Sequence, residues 1–195
     1  MAYVGLRKII IAKRTGAKTY GEPFAFGKAI GMNVTPNYSE GSLNADDVQA
    51  EYDKEFNYAE LSMNTSTVPL EAHDTMFGHT VNENAVDFNA NDEAQYVGQG
   101  WIAPEKVDGK KYYTGNFLYK AKYSEPSEEY TTKGDSIEYK TPSISGRALA
   151  EDDGDWKATE RFDTPEKALA WIYKKFGKTA EMTQAANKNT APVKA

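Results

Sequence analysis

At 195 residues the chain is long enough to bury a substantial core. Its net charge of −6, from 23 basic and 29 acidic residues, excludes the basic stripe of a general nucleic-acid binder. There is no cysteine, hence no disulfide framework, which fits a reducing compartment. No apolar run approaches the length of a membrane span, and Arg7-Lys8 followed by only Ile9 to Ala12 lacks the make-up of a signal peptide.

Thirteen Tyr, eight Phe and three Trp, with many Thr and Val, lean the composition towards strands. The first strand is expected over Leu6 to Lys13. A second follows from Lys28 to Thr35, where Ile30, Met32 and Val34 alternate with polar residues. Residues 37–54 then turn polar and turn-rich, with Leu43 as the single large apolar residue between Ser39 and Asp47. A connection this long is uncommon without a function. It is either a flexible loop or an arm that orders against another subunit.

Strand composition returns from Tyr58 to Val68, with Ala59, Leu61 and Met63 on one face. Pro69 to Gly78 reads as a short helix with Leu70, Met76 and Phe77 inward. The runs Gln95 to Ala103 and Lys111 to Tyr123 flank Asp108-Gly109, a strong hairpin signal. In the second run Tyr113, Phe117, Tyr119, Ala121 and Tyr123 are expected on one face, with Thr114, Asn116, Lys120 and Lys122 on a polar other face.

Ile137, Tyr139 and Thr141 alternate as a strand, after which the apolar set shifts to Ile144, Gly146 and Ala148. That change of parity places a bulge or bend at Pro142-Ser143. The acidic run Glu151 to Asp155 is expected as a solvated turn, with Trp156, Ala158 and Phe162 returning on one face. Thr164 then caps a helix, Pro165 suits its first position, and Lys174, Lys175 and Gly177 suit its end. Leu169, Ile172 and Phe176 form its core stripe with Ala168, and Trp171 widens it. Lys178 to Ala195 has Met182 and Val193 as its only large apolar residues, the make-up of a flexible tail. The fold class is therefore α+β, mainly β, in one domain over residues 1–177.

No residue pattern points to catalysis. His73 and His79, with Glu71 and Asp74, match no metal-ligand spacing. Asp87-x-Asn89-x-Asn91 begins like a calcium loop, but Asp92 stands where glycine is required and Gly98 where the bidentate Glu belongs. Gly98-Gln99-Gly100 lacks the third glycine of a dinucleotide loop. No cofactor is expected.

The ordered set of motifs nevertheless resembles the major tail proteins of long-tailed, non-contractile phages of Gram-positive hosts. It comprises Leu43-Asn44-Ala45-Asp46-Asp47, Pro69-Leu70-Glu71-Ala72, Phe77-Gly78-His79-Thr80 and Tyr96-Val97-Gly98-Gln99-Gly100-Trp101. Asp108-Gly109-Lys110, Tyr112 to Tyr123, Thr132 to Gly146, Gly154-Asp155-Trp156-Lys157 and Trp171 complete it, over roughly residues 3–177. The resemblance implies the tail-tube fold: two packed β-sheets, as a sandwich or barrel, flanked by a helix. It implies hexameric rings, stacked into a tube through which DNA passes without specific binding. Residues 37–54 would then be the arm between subunits or rings, with Tyr38, Leu43, Asp46 and Asp47 as its contacts. A tape measure protein, a tail terminator and a distal tail protein would be its partners. The place implied is the virion tail, assembled in the host cytoplasm, with no membrane. Asn44, in place of an aromatic, and the plain end after Gly177 depart from the pattern. Two other readings remain: the inner tube of a contractile tail or injection machine, and a monomeric β-sandwich that binds carbohydrate or a cell surface.

Overall fold

The computed structural model of the chain describes residues 2–45, 48–127, 132 and 141–178. The expected strand around Ile137 and Tyr139, and the tail beyond Lys178, lie outside the described residues. The chain is mainly β, with two sheets and two short helices. Its strands are β1 (Ala2–Tyr3), β2 (Arg7–Gly16), β3 (Thr19–Tyr20), β4 (Phe24–Ala25), β5 (Ala29–Ala45) and β6 (Val48–Thr65). Helix α1 (Leu70–Ala72) runs into a π-helical turn at His73–Phe77. Then come β7 (Thr80–Asn82), β8 (Ala85–Asp87), β9 (Val97–Val107), β10 (Lys110–Tyr123), β11 (Ser143–Leu149), β12 (Lys157–Phe162) and α2 (Pro165–Lys175). Ten strands form one sheet along the path β3-β2-β9-β10-β11-β6-β5, with β1, β4 and β12 pairing at its flanks; β7 and β8 form the second sheet.

The large sheet rolls onto itself. Gln99 on β9 lies four places from β5 along the path, some 19 Å away in a flat sheet. Yet its Nε2 donates to Met32 Sδ of β5 and Met63 Sδ of β6, both at 3.6 Å. Inside the roll is a core of Ile9, Ile11, Leu61, Met63, Leu118, Tyr123 and Ile144, closed by Met76 and Phe77 from the π-helical turn. The outer face of β2, β9 and β10 carries a second core, where Ile10, Ile102, Phe117 and Tyr119 pack under α2. With helix on one side and roll on the other, β2 is apolar at four consecutive positions, Ile9 to Ala12, all buried.

Several expectations hold. Asp108 and Gly109 take φ of +47° and +80° at the tip of the β9–β10 hairpin, the conformation an Asp-Gly turn supplies. β11 begins at Ser143, and Ile144 and Ala148 are buried.

Others are corrected, mostly by one-residue shifts of register. A bulge between Leu118 and Ala121 reverses the parity of β10. Phe117 and Tyr119 therefore face α2, while Ala121 and Tyr123 enter the roll. The supposed polar face of β10 is also buried at Thr114 and Asn116. A second shift between Ala29 and Gly31 leaves Ile30 exposed, while Met32 and Val34 pack inward. Leu70 is exposed, because one turn of α1 gives the inward positions to Ala72, Met76 and Phe77. Trp156 joins the roll and Ala158 and Phe162 the helix side, so they do not share a face. The acidic run does form an exposed turn at 152–155, but Glu151 at its base is buried.

Candidate assembly interface

The largest correction concerns residues 37–54, expected as a loop. They belong to two long paired strands. β5 and β6 stay paired antiparallel, through three one-residue shifts, from Ala29 opposite Thr65 to Ala45 opposite Val48. Their roots sit in the sheet, where Met32, Val34, Ala59, Leu61 and Met63 pack into the roll. The last residue with an inward job is Phe56, stacked on Trp156 at 4.7 Å and 15° between planes. Beyond it the hairpin leaves the body: residues 35–42 and 51–55 are all exposed. From Tyr38 to Ala45 the arm reaches roughly 25 Å at the rise of a strand.

An exposed two-stranded ribbon is marginal alone, and its few internal contacts are at the surface. Lys54 Nζ reaches Glu40 Oε1 at 2.8 Å and lies 4.5 Å from the Tyr38 ring centroid. Tyr38 meets Phe56 edge-on at 5.9 Å. Lys54 holds the Glu40 carboxyl below its usual range. Among the site residues named from sequence, Tyr38 is thus an exposed arm residue at the point of exit. Leu43 lies in β5 opposite Glu51, and Asp46 and Asp47 lie outside the described residues. Between 37 and 57 the chain carries six carboxylates against one lysine, −5 of the whole chain's −6.

Beside the root of the arm, on the outside of β5, β6, β11 and β10, lies an open groove of about 850 Å3. Thr35, Glu60, Ser62, Tyr96, Lys122 and Arg147 are among its walls. The Lys122 ammonium lies 5.3 Å from the Tyr96 ring centroid, and the Arg147 guanidinium 4.4 Å from that of Tyr58. Neither cation has a carboxylate partner among the described residues.

On the opposite side α2 docks as its sequence pattern requires. Thr164 Oγ1 accepts from Lys167 N at 3.4 Å, and Gly177 closes the end at φ +77°. Leu169, Ile172 and Phe176 are buried, as expected. Trp171 is only partly buried, lying over Gly115, where an added Cβ would come within 2.9 Å of its Cε3. Tyr173, missed in sequence, is buried too; burial pushes its hydroxyl pKa up. It sits one step beyond Ile172 and widens the helix face on the side away from Trp171.

The two histidines have a structural setting. His79 is buried; its Nδ1 is 2.7 Å from Asp92 Oδ2, and Glu125 Oε1 comes within 2.6 Å of its Nε2. His73, Phe77 and Phe88 surround it. Asp92, the residue that broke the calcium pattern, also accepts from Asn89 N at 2.8 Å. His79 holds its carboxyl below the usual range. No group of three metal-binding side chains occurs among the described residues.

The sequence matches no family model and no curated protein. Among solved structures, a chain described as the anti-feeding prophage cap, a tube-terminating cap, aligns over 82% of this chain and 92% of its own. The identity is 10% and the TM-score 0.39, too slight a likeness to carry fold or function across.

Proposed function

We propose that this chain is a structural subunit of a phage tail, which polymerises as stacked hexameric rings into the tail tube. The observation that carries the reading is the arm: a two-stranded ribbon extending roughly 25 Å past the last packed residue, Phe56. A ribbon with both faces in solvent gains nothing for the fold of its own subunit. It acquires buried area only when another chain covers it. Among the described residues β5 is also the terminal strand of the sheet path, with an outer edge that could extend the sheet into a neighbour. Ring closure would remove that edge.

The sequence resemblance supplies the rest of the reading. The tube lies in the virion tail and conducts DNA without binding it, consistent with a net charge of −6 that repels phosphate. The subunits assemble in the host cytoplasm and meet a tape measure protein, a terminator and a distal tail protein. The role is architectural, without catalysis or cofactor.

Negative-stain electron microscopy over a concentration series tests the proposal. Six-fold rings or hollow tubes are expected. Monodisperse monomers at every concentration, persisting after tail-tip components are added, would overturn it.

A further inference from the structure

The groove beside the root of the arm places like charges across two strands. In the β10–β11 register Lys122 stands directly opposite Arg147, and like charges across strands are destabilising. Lys120 lies 5.2 Å from the same Tyr96 ring as Lys122, so three cations cluster on this face. Glu60, opposite Arg147 on β6, is the one carboxylate among the groove's described walls. The arm has the reverse imbalance. Its only lysine, Lys54, is taken by Glu40, and Glu51 and Glu55 are exposed without a cationic partner among the described residues.

Resting on the tube reading, we infer that the acidic arm of one copy docks in the basic, tyrosine-walled groove of the next. The arm cannot fill the groove of its own subunit. Groove and arm share β5 and β6, with Thr35 and Glu60 at the wall and the tip carried away along the strand direction. Docking is therefore between copies and heterologous, arm to groove, the contact type that builds rings or filaments. Glu51 and Glu55 lie on one face of one strand, four strand steps and about 13 Å apart. That spacing lets both carboxylates meet a cluster of cations along one groove. Asp53, exposed on the same face between them, adds a third carboxylate.

Two variants test this. Lys122→Glu/Arg147→Glu makes the groove acidic opposite an acidic arm. Glu51→Lys/Glu55→Lys turns the arm face made by residues 51, 53 and 55 from −3 to +1, opposite a basic groove. Each alone is expected to stay folded by circular dichroism and to need at least about tenfold more protein to assemble by sedimentation velocity and microscopy. An equimolar mixture restores complementarity in both directions and is expected to assemble at close to the wild-type concentration. If wild type forms tubes but the variants do so equally well, or the mixture stays as inert as its parts, the docking is wrong and the tube reading stands. Rescue of the groove variant by reversing the acidic residues Glu128, Glu129, Asp135 and Glu138 instead would assign the groove to that segment of the chain and overturn the inference. If wild type itself never assembles, the tube reading and the docking fall together.

Discussion

Arg14 donates from Nε and Nη2 to the two carboxylate oxygens of Glu151, at 2.8 and 2.6 Å. The Glu151 side chain is 3% exposed and Arg14's is 17%, so the pair ties β2 to the turn after β11 in a water-poor setting. Removing one partner leaves a buried charge. Arg14→Met should cost about 3 kcal/mol in urea unfolding, and adding Glu151→Leu should return most of it. The hydrogen bonds from Arg14 hold the Glu151 carboxyl below its ordinary value of 4.5. The unfolded chain therefore binds the proton more readily than the folded one. This contribution is fully present above about pH 4.5 and is lost as pH falls through the lower folded value. Glu151→Gln should flatten the fall of the urea midpoint below pH 4.5; an acid limb as steep as wild type would refute the role. Glu105, bonded by Thr114 and Arg161, also has its carboxyl held low and contributes to the slope that remains.

Backbone approach matters as much as charge at Gly100. A Cβ built there collides with Ile172 Cγ2 of α2. Gly100→Ala should destabilise by roughly 1–3 kcal/mol through overpacking. In the background of Ile172→Ala, which empties the contested space, the same change should cost much less. Equal costs in both backgrounds would mean that the helix does not seat against β9 at this point.

Helix α2 was the element most legible in the sequence, because every signal for it is local: Thr164, Pro165, the spacing of Leu169, Ile172 and Phe176, and Gly177. Trp171 was the exception, since its partners Gly115 and Phe162 are set by tertiary packing. Partial burial makes Trp171→Ala worth about 2 kcal/mol in thermal or urea unfolding, below the range for a fully buried Trp. Thr164→Ala should remove about 1 kcal/mol. The β9–β10 hairpin was equally readable from Asp108-Gly109. What failed was parity along strands. A single inserted residue, as between Leu118 and Ala121, exchanges the two faces without leaving a mark in composition. Register lies in partner strands, not in the run itself. The arm failed for a related reason. Strands are recognised by one buried face, and residues 35–42 and 51–55 have none. Gly41, Ser42 and Asn37 then give the pattern of a turn to what is a ladder.

For the whole molecule the arm's pairing dictates how it must be removed. Ser39 pairs with Glu55, so excising residues 39–47 alone would leave 48–55 as an unpaired strand and confuse misfolding with lost assembly. Deleting 39–55 and joining Tyr38 to Phe56 through a short Asn-Gly turn keeps the Phe56–Trp156 stack and every strand of the roll. It also removes five carboxylates besides Glu40, together with Lys54. Because residues 39–42 and 51–55 are exposed, the melting temperature should move by only a few degrees, the scale of a change below about 1 kcal/mol. Assembly should be abolished at concentrations where wild type forms tubes. If each copy both gives an arm and receives one, the shortened chain lacks an arm but keeps a groove. Added to wild type in excess, it should accept arms without passing one on and so terminate growth. The measurement is tube length by electron microscopy against the ratio of shortened to full-length chain. Lengths that fall as the ratio rises would identify the arm as the link between copies, whereas unchanged lengths would mean that the tube is held by the sheet edges alone.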